Sequence, residues 1–185
     1  MASTVEKMLA SVPPKYLNGL SEVVLTNTAG LPRKLRRSVT KSRGRKVRIV
    51  EARGLYHQAW HGKPAWIEIF VDNALGPPPG GWLRWLWLRG LFREGGLSEV
   101  VFHEIGHHIH ATVRPEHREK EDVADVWKLR LVRNYFRQRH PILRRLFRIV
   151  LFAFGPLYRR FYRRTMEQGL AKGWMSRAEF DEGMK

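Results

Sequence analysis

The spacing of apolar residues changes along the chain, from alternation between residues 21 and 71 to helical spacing beyond residue 98. Residues 2–20 read as a short helix broken by Pro13-Pro14, because proline cannot continue a helix past its first turn. Ser21-Glu22-Val23-Val24-Leu25-Thr26 predicts a strand. Lys46 to Glu51 alternates, with Val47 and Ile49 on one side, and predicts a second. Gly54-Leu55-Tyr56-His57-Gln58 predicts a third. Between the first two strands, Thr28 to Lys46 is polar, basic and glycine-containing, and reads as a loop. His61-Gly62-Lys63-Pro64 makes a turn. Trp66-Ile67-Glu68-Ile69-Phe70-Val71 is the strongest strand, since aromatic and β-branched side chains dominate it.

Ser98 predicts the start of a helix that runs to about Val113, with Pro115 as its end. Glu116 to Arg139 predicts a second helix, stopped by Pro141. Ile142 to Arg164 is helical in character and interrupted near Gly155-Pro156. Ser176-Arg177-Ala178-Glu179 fits a capping box that opens a short terminal helix. Residues 75–96 carry Gly and Pro at their flanks and read as an insertion between strand and helix. Strands followed by helices predict an α+β domain over residues 1–140, with a small mixed or antiparallel sheet packed on the helices. A basic, amphipathic helical segment is expected over 141–185.

At 185 residues and 43% hydrophobic, the chain can bury one sizeable core. It has no cysteine, so disulfides, thiolate metal ligands and cysteine nucleophiles are excluded. Any metal must be held by His, Asp or Glu. The first twenty residues do not follow a signal-peptide pattern, and the longest apolar run, Ile149 to Tyr158, is too short to cross a bilayer. A cytoplasmic protein is expected, peripheral to the membrane if its basic segments bind lipid.

Charge is heavily one-sided, with a formal net of +17. Arg33 to Arg48 holds nine basic residues and no acid; Val126 to Met166 holds twelve and no acid. Such blocks favour an anionic membrane surface or nucleic acid as partner, through long-range attraction and counterion release. Trp82 to Phe92 sets three Trp and four Leu beside Arg84 and Arg89. That segment reads as an interfacial element, a lid over a cleft, or a loop burying its own aromatics.

The residues that carry chemistry are Val101-Phe102-His103-Glu104-Ile105-Gly106-His107-His108-Ile109-His110. They contain His-Glu-x-x-His. On a helix, residues four apart share a face, so His103 and His107 can aim their imidazoles at one ion. Glu104 sits about 100° round from His103, beside the ion rather than directed at it. That position suits a general base acting on water. Phe102, Ile105 and Ile109 supply an apolar stripe to bury, and Gly106 leaves room for close packing. A catalytic zinc site needs a third protein ligand. Downstream, Glu121-x-x-Ala124-Asp125 puts two acids one turn apart, so that one can ligate while the other orients a histidine. Glu119 is the competing ligand. His110 reads as a surface or supporting residue, and His108 and His117 as solvated.

His103-Glu104-x-x-His107, followed by Glu121-x-x-Ala124-Asp125, resembles the gluzincin group of zinc metallopeptidases. In total size the chain resembles the small single-domain minigluzincins. The resemblance covers about residues 15–140; the insertion at 75–96 and the basic tail depart from it. It implies a zincin-like fold, a Zn2+ cofactor and a peptide or protein substrate. It also implies Glu121 as third ligand and Asp125 as the hydrogen-bond partner of His103. Glu104 would be the catalytic base of an endopeptidase. Tyr56, His57, Tyr135 and His140 are candidates for a donor to the oxyanion, by residue type alone. Trp66–Val71 could rim the cleft as an edge strand, or lie within the core. The C-terminal segment could fold back into the cleft and hold the enzyme latent. The alternative function is a non-catalytic, zinc-stabilised protein that binds nucleic acid or anionic membrane through its Arg-rich surface.

Overall fold

A computed structural model describes residues 1–42, 45–76, 88–140 and 155–184. Its architecture is α+β. Helix α1 (Ala2–Ala10) buries Val5 and Met8 and ends before Pro13. A turn of tighter helix at Pro14–Tyr16 follows, and then strand β1 (Leu20–Thr26). Where a loop was expected from sequence over 28–46, the described residues form a short helix α2 (Arg33–Arg36) and strand β2 (Val39–Ser42). Strand β3 (Arg45–Arg48) pairs antiparallel with β2, Val39 opposite Arg48. Cross-strand backbone bonds make this hairpin, and the strand expected over 46–51 stops at Arg48, with Ile49–Glu51 forming a turn of tighter helix.

Strands β4 (Gly54–His57) and β5 (Ala65–Phe70) build the main sheet with β1. Its order is β1-β5-β4: β1 runs parallel to β5, and β4 antiparallel to it. The strand expected at 66–71 is therefore central rather than an edge, and it ends at Phe70, with Val71 opening the next helix. Ala65, Ile67 and Ile69 alternate into the core, as a strand covered on that face should. The edge is β4.

Helix α3 (Val71–Leu75) leads from the sheet. Helix α4 (Leu88–Val113) starts ten residues before the Ser98 cap expected from sequence. Residues 88–96 thus belong to the helix, not to an insertion, while 77–87 lie outside the described residues. Gly95-Gly96 suggested a break. In the fold, a methyl group at Gly96 would stand 3.0 Å from the Ala74 carbonyl oxygen, so the glycine serves close packing against α3. Ser98 is buried mid-helix and bonds the Gly95 carbonyl. Helix α5 (Lys120–Arg139) starts four residues later than expected, because the His110 ring bonds the His117 carbonyl and shapes the connection. α4 and α5 lie antiparallel, with Glu99 against Lys128 and Gly106 against Ala124.

Helix α6 is described over Gly155–Ala171 and carries Pro156 in its first described turn. Helix α7 (Arg177–Met184) carries both halves of the capping box: the Glu179 amide donates to Ser176 Oγ, and the Ser176 amide to Glu179 Oε2. Tyr162, Met166, Trp174 and Met175 join one buried cluster with Met8, Phe102, Ile105 and Trp127. The described part of the C-terminal segment is thus a wall of the core. Glu179 is buried there with three partners, Tyr16 Oη, Arg114 and the Ser176 amide. Burial alone would raise its pKa; these bonds outweigh burial and lower it. Residues 141–154, the first part of the expected amphipathic segment, lie outside the described residues. Among the described residues, no helix is long and apolar enough to cross a membrane.

If α6 and α7 complete the core, Trp174→Ala should cost about 3–5 kcal/mol. The check is a denaturant melt followed by near-ultraviolet circular dichroism.

Candidate metal centre

Helix α4 presents His103 and His107 one turn apart, and their rings meet edge to face at 4.7 Å. Helix α5 brings Glu121 to them. Its Oε2 lies 3.5 Å from His103 Nε2 and 3.8 Å from His107 Nε2. A tetrahedral zinc with bonds of about 2.0–2.1 Å needs its donors roughly 3.4 Å apart. The two distances to Glu121 are near that value, and all three donors lie within 4.8 Å of one another, a group that could hold one ion. Among the described residues, these three form the one group of His, Asp and Glu close enough to share a metal. Glu119, the competing carboxylate, is exposed at the start of α5 and outside that group.

Close contact between the helices makes this reach possible. A methyl group at Gly106 would lie 2.6 Å from the Ala124 carbonyl oxygen and 2.7 Å from its Cα. Those are backbone atoms, which cannot swing aside. Gly106 and Ala124 are the small pair over which α4 and α5 cross, one turn from the ligands. Phe102, Ile105 and Ile109 hold the other side of α4 in the core, all fully buried.

Asp125 Oδ1 lies 3.2 Å from His103 Nδ1, leaving Nε2 to face the ligand position. Lys128 Nζ contacts the same Asp125 oxygen at 3.2 Å and Glu99 at 3.3 Å. Sequence reasoning missed Lys128 and Glu99, although Lys128 stands three residues beyond Asp125 on the same helix face. Burial would lower the His103 pKa, but its hydrogen bonds to Asp125 and Glu121 prevail and hold it at about 9. Burial would raise Asp125; the His103 bond and the Lys128 charge bring it to about 2. His107 keeps only the longer contact to Glu121, so burial, helped by the nearby His103, takes it down to about 4. Neutral His107 is ready to ligate, and His103 becomes so when a cation replaces its proton.

Glu104 is buried on the sheet side of α4. Burial raises its pKa to about 7, and the Glu121 carboxylate adds to the effect. The nearby Tyr56 backbone N–H works against that rise. Strand β4 closes over Glu104: a methyl group at Gly54 would stand 2.9 Å from both Glu104 Cγ and Oε1. Gly54 was read only as part of a strand, yet a glycine inside a strand often marks such a close approach.

His103, Glu104, His107, Glu121 and Asp125 all line one cleft of about 550 Å3. Gly54 and Tyr56 of β4 form its far wall. No described residue of the C-terminal segment lines it, so the described helices do not occupy the cleft. Of the proposed oxyanion donors, only Tyr56 reaches the cleft. Its hydroxyl pairs with His108 Nδ1 at 3.2 Å. His57 stacks on Trp66 and pairs with Glu68, away from the site. Tyr135 and His140 both bond Glu94, near the start of α4. His108 is not solvated as expected: it is fully buried and bridges Tyr56 to the Asn18 carbonyl. His117 is half-buried and bonds the Gly173 carbonyl.

Two outcomes follow from this geometry. Gly106→Ala should push α5 off α4, cost about 1–3 kcal/mol and reduce bound metal, read by thermal melts and metal analysis. In metal-free protein, the raised His103 pKa gives a stabilisation that is complete below about pH 6.5 and lost as the pH climbs through about 9. Asp125→Asn should flatten most of that loss, measured as melting temperature against pH with chelator present. Comparison of the chain with protein-family models, curated proteins and solved structures finds no match, so the site stands on its geometry.

Proposed function

We propose that this chain is a zinc-dependent metallopeptidase, probed best through Glu104. The observation that carries the reading is a buried carboxyl, with a pKa near 7, beside a His-His-Glu donor set in an open cleft. A general base works best with its pKa near the working pH. His103, His107 and Glu121 would hold the zinc, which would supply Lewis-acid polarisation of water and of a carbonyl oxygen. Glu104 takes the proton from the attacking water and hands it to the leaving amine. Asp125, itself held by Lys128, keeps His103 in the ligating tautomer.

The α+β fold is read accordingly as zincin-like, with α4 and α5 carrying the donors and β4 as the rim. Among the described residues the outer side of β4 has no neighbouring strand. Its backbone can pair with an extended peptide laid along the cleft, which favours an internal peptide segment as substrate. A purely structural zinc site argues against itself here. Such sites fill all four positions with protein groups, and they have no use for a buried carboxyl that costs stability.

The wild type should carry one zinc per chain by mass spectrometry, and His107→Ala should lose it. Glu104→Gln should keep the metal and lose casein cleavage by at least about a hundredfold. Wild-type protein without zinc, or Glu104→Gln cleaving at the wild-type rate, would sink the reading.

A further inference from the structure

Helix α6 has two faces. Tyr162, Met166 and Gly169 turn into the core. On the opposite side, Leu157, Arg160, Phe161 and Arg164 follow i, i+3, i+4, i+7 spacing and so form one stripe. All four are exposed. Leu157 and Phe161 are 67% and 59% exposed, and the adjoining Tyr158 is 48% exposed. Few large apolar side chains elsewhere on the described surface are as open, and none gathers three within five residues. Arg163 pairs with Glu167, but Arg160 and Arg164 have no carboxylate partner among the described residues. They leave a positive rim around an apolar ridge.

We propose that this face of α6 docks the protein on an anionic lipid bilayer. The chemistry on the page selects that occupant. A convex ridge of Leu and Phe gains by entering the boundary between headgroups and acyl chains, where water is left behind. Arginines on its flank reach the lipid phosphates from the same depth, their aliphatic stems lying along the apolar layer. Nucleic acid would use the arginines and could stack on Phe161, but would leave Leu157 without a partner. The wider field points the same way: Val126 to Met166 has no acid, and the chain carries +17 overall. With no described helix able to span a bilayer, the attachment is peripheral. It orients the molecule by a surface that does not line the catalytic cleft, so the metal reading can fail without it.

The test uses the full-length protein and vesicle flotation. Phosphatidylcholine vesicles enriched in phosphatidylglycerol should carry the protein up, and pure phosphatidylcholine vesicles should not. Leu157→Ser with Phe161→Ser should lower the bound fraction about tenfold or more. Arg160→Ala with Arg164→Ala should lower it comparably and weaken its dependence on salt. Because all four side chains are exposed, thermal melts of both variants should match the wild type, which separates lost docking from lost folding. Three results overturn the proposal. One is a double-serine variant that floats like the wild type. Another is wild-type protein that ignores anionic vesicles and binds a single-stranded RNA. The last is a wild type that stays off vesicles and becomes monomeric only when Leu157 and Phe161 are replaced, which would assign the ridge to a second copy of the chain.

Discussion

The candidate centre depends on how closely α4 and α5 cross. Two histidines on one helix can bind a metal only weakly; the third donor must come from elsewhere. Gly106 against Ala124 sets that distance, because a helix pair separated by larger side chains would hold Glu121 out of reach. The same approach puts Asp125 behind His103. One small-residue contact thus positions a ligand and its orienting partner together, while the apolar stripe of Phe102, Ile105 and Ile109 keeps α4 from rotating away.

A second constraint acts across the cleft. Burying a carboxyl is unfavourable, and Glu104 is buried because β4 packs over it with Gly54. The result is a group with a pKa near neutrality rather than near 4. Charge on the other side is managed by a chain of contacts, His103 to Asp125 to Lys128 to Glu99. Sheet and helix therefore do different work: the sheet side tunes the carboxyl, and the helix side fixes the imidazoles.

Away from the cleft, α6 and α7 seal the lower part of the core through Tyr162, Met166, Trp174 and Met175. This explains why a segment so rich in arginine still contributes to packing. Arg160 and Arg164 leave from the face opposite Tyr162, so burial and this part of the charge occupy different sides of one helix.

Much of this was legible in the sequence, and for definite reasons. Ligand spacing on α4 is a local property of 3.6 residues per turn, so His103, His107 and Glu104 could be named in advance. Strand alternation at 66–70 and the capping box at Ser176 are equally local. The resemblance at Glu121 and Asp125 singled out residues that the fold brings beside His103. Other features depended on partners distant in the chain. Gly95-Gly96 looked like a break because the carbonyl of Ala74 cannot be seen from residue 96. The 66–70 strand could not be placed at centre or edge, since that depends on which strands flank it. His108 looked solvated because its bridge runs to Tyr56 and to the carbonyl of Asn18, ninety residues away. Sequence by itself thus determined the donor types and their helical spacing. Tertiary structure alone decided which carboxylate reaches them, how deeply Glu104 is buried and which strand forms the rim, because each is set by contacts between segments that only packing brings together.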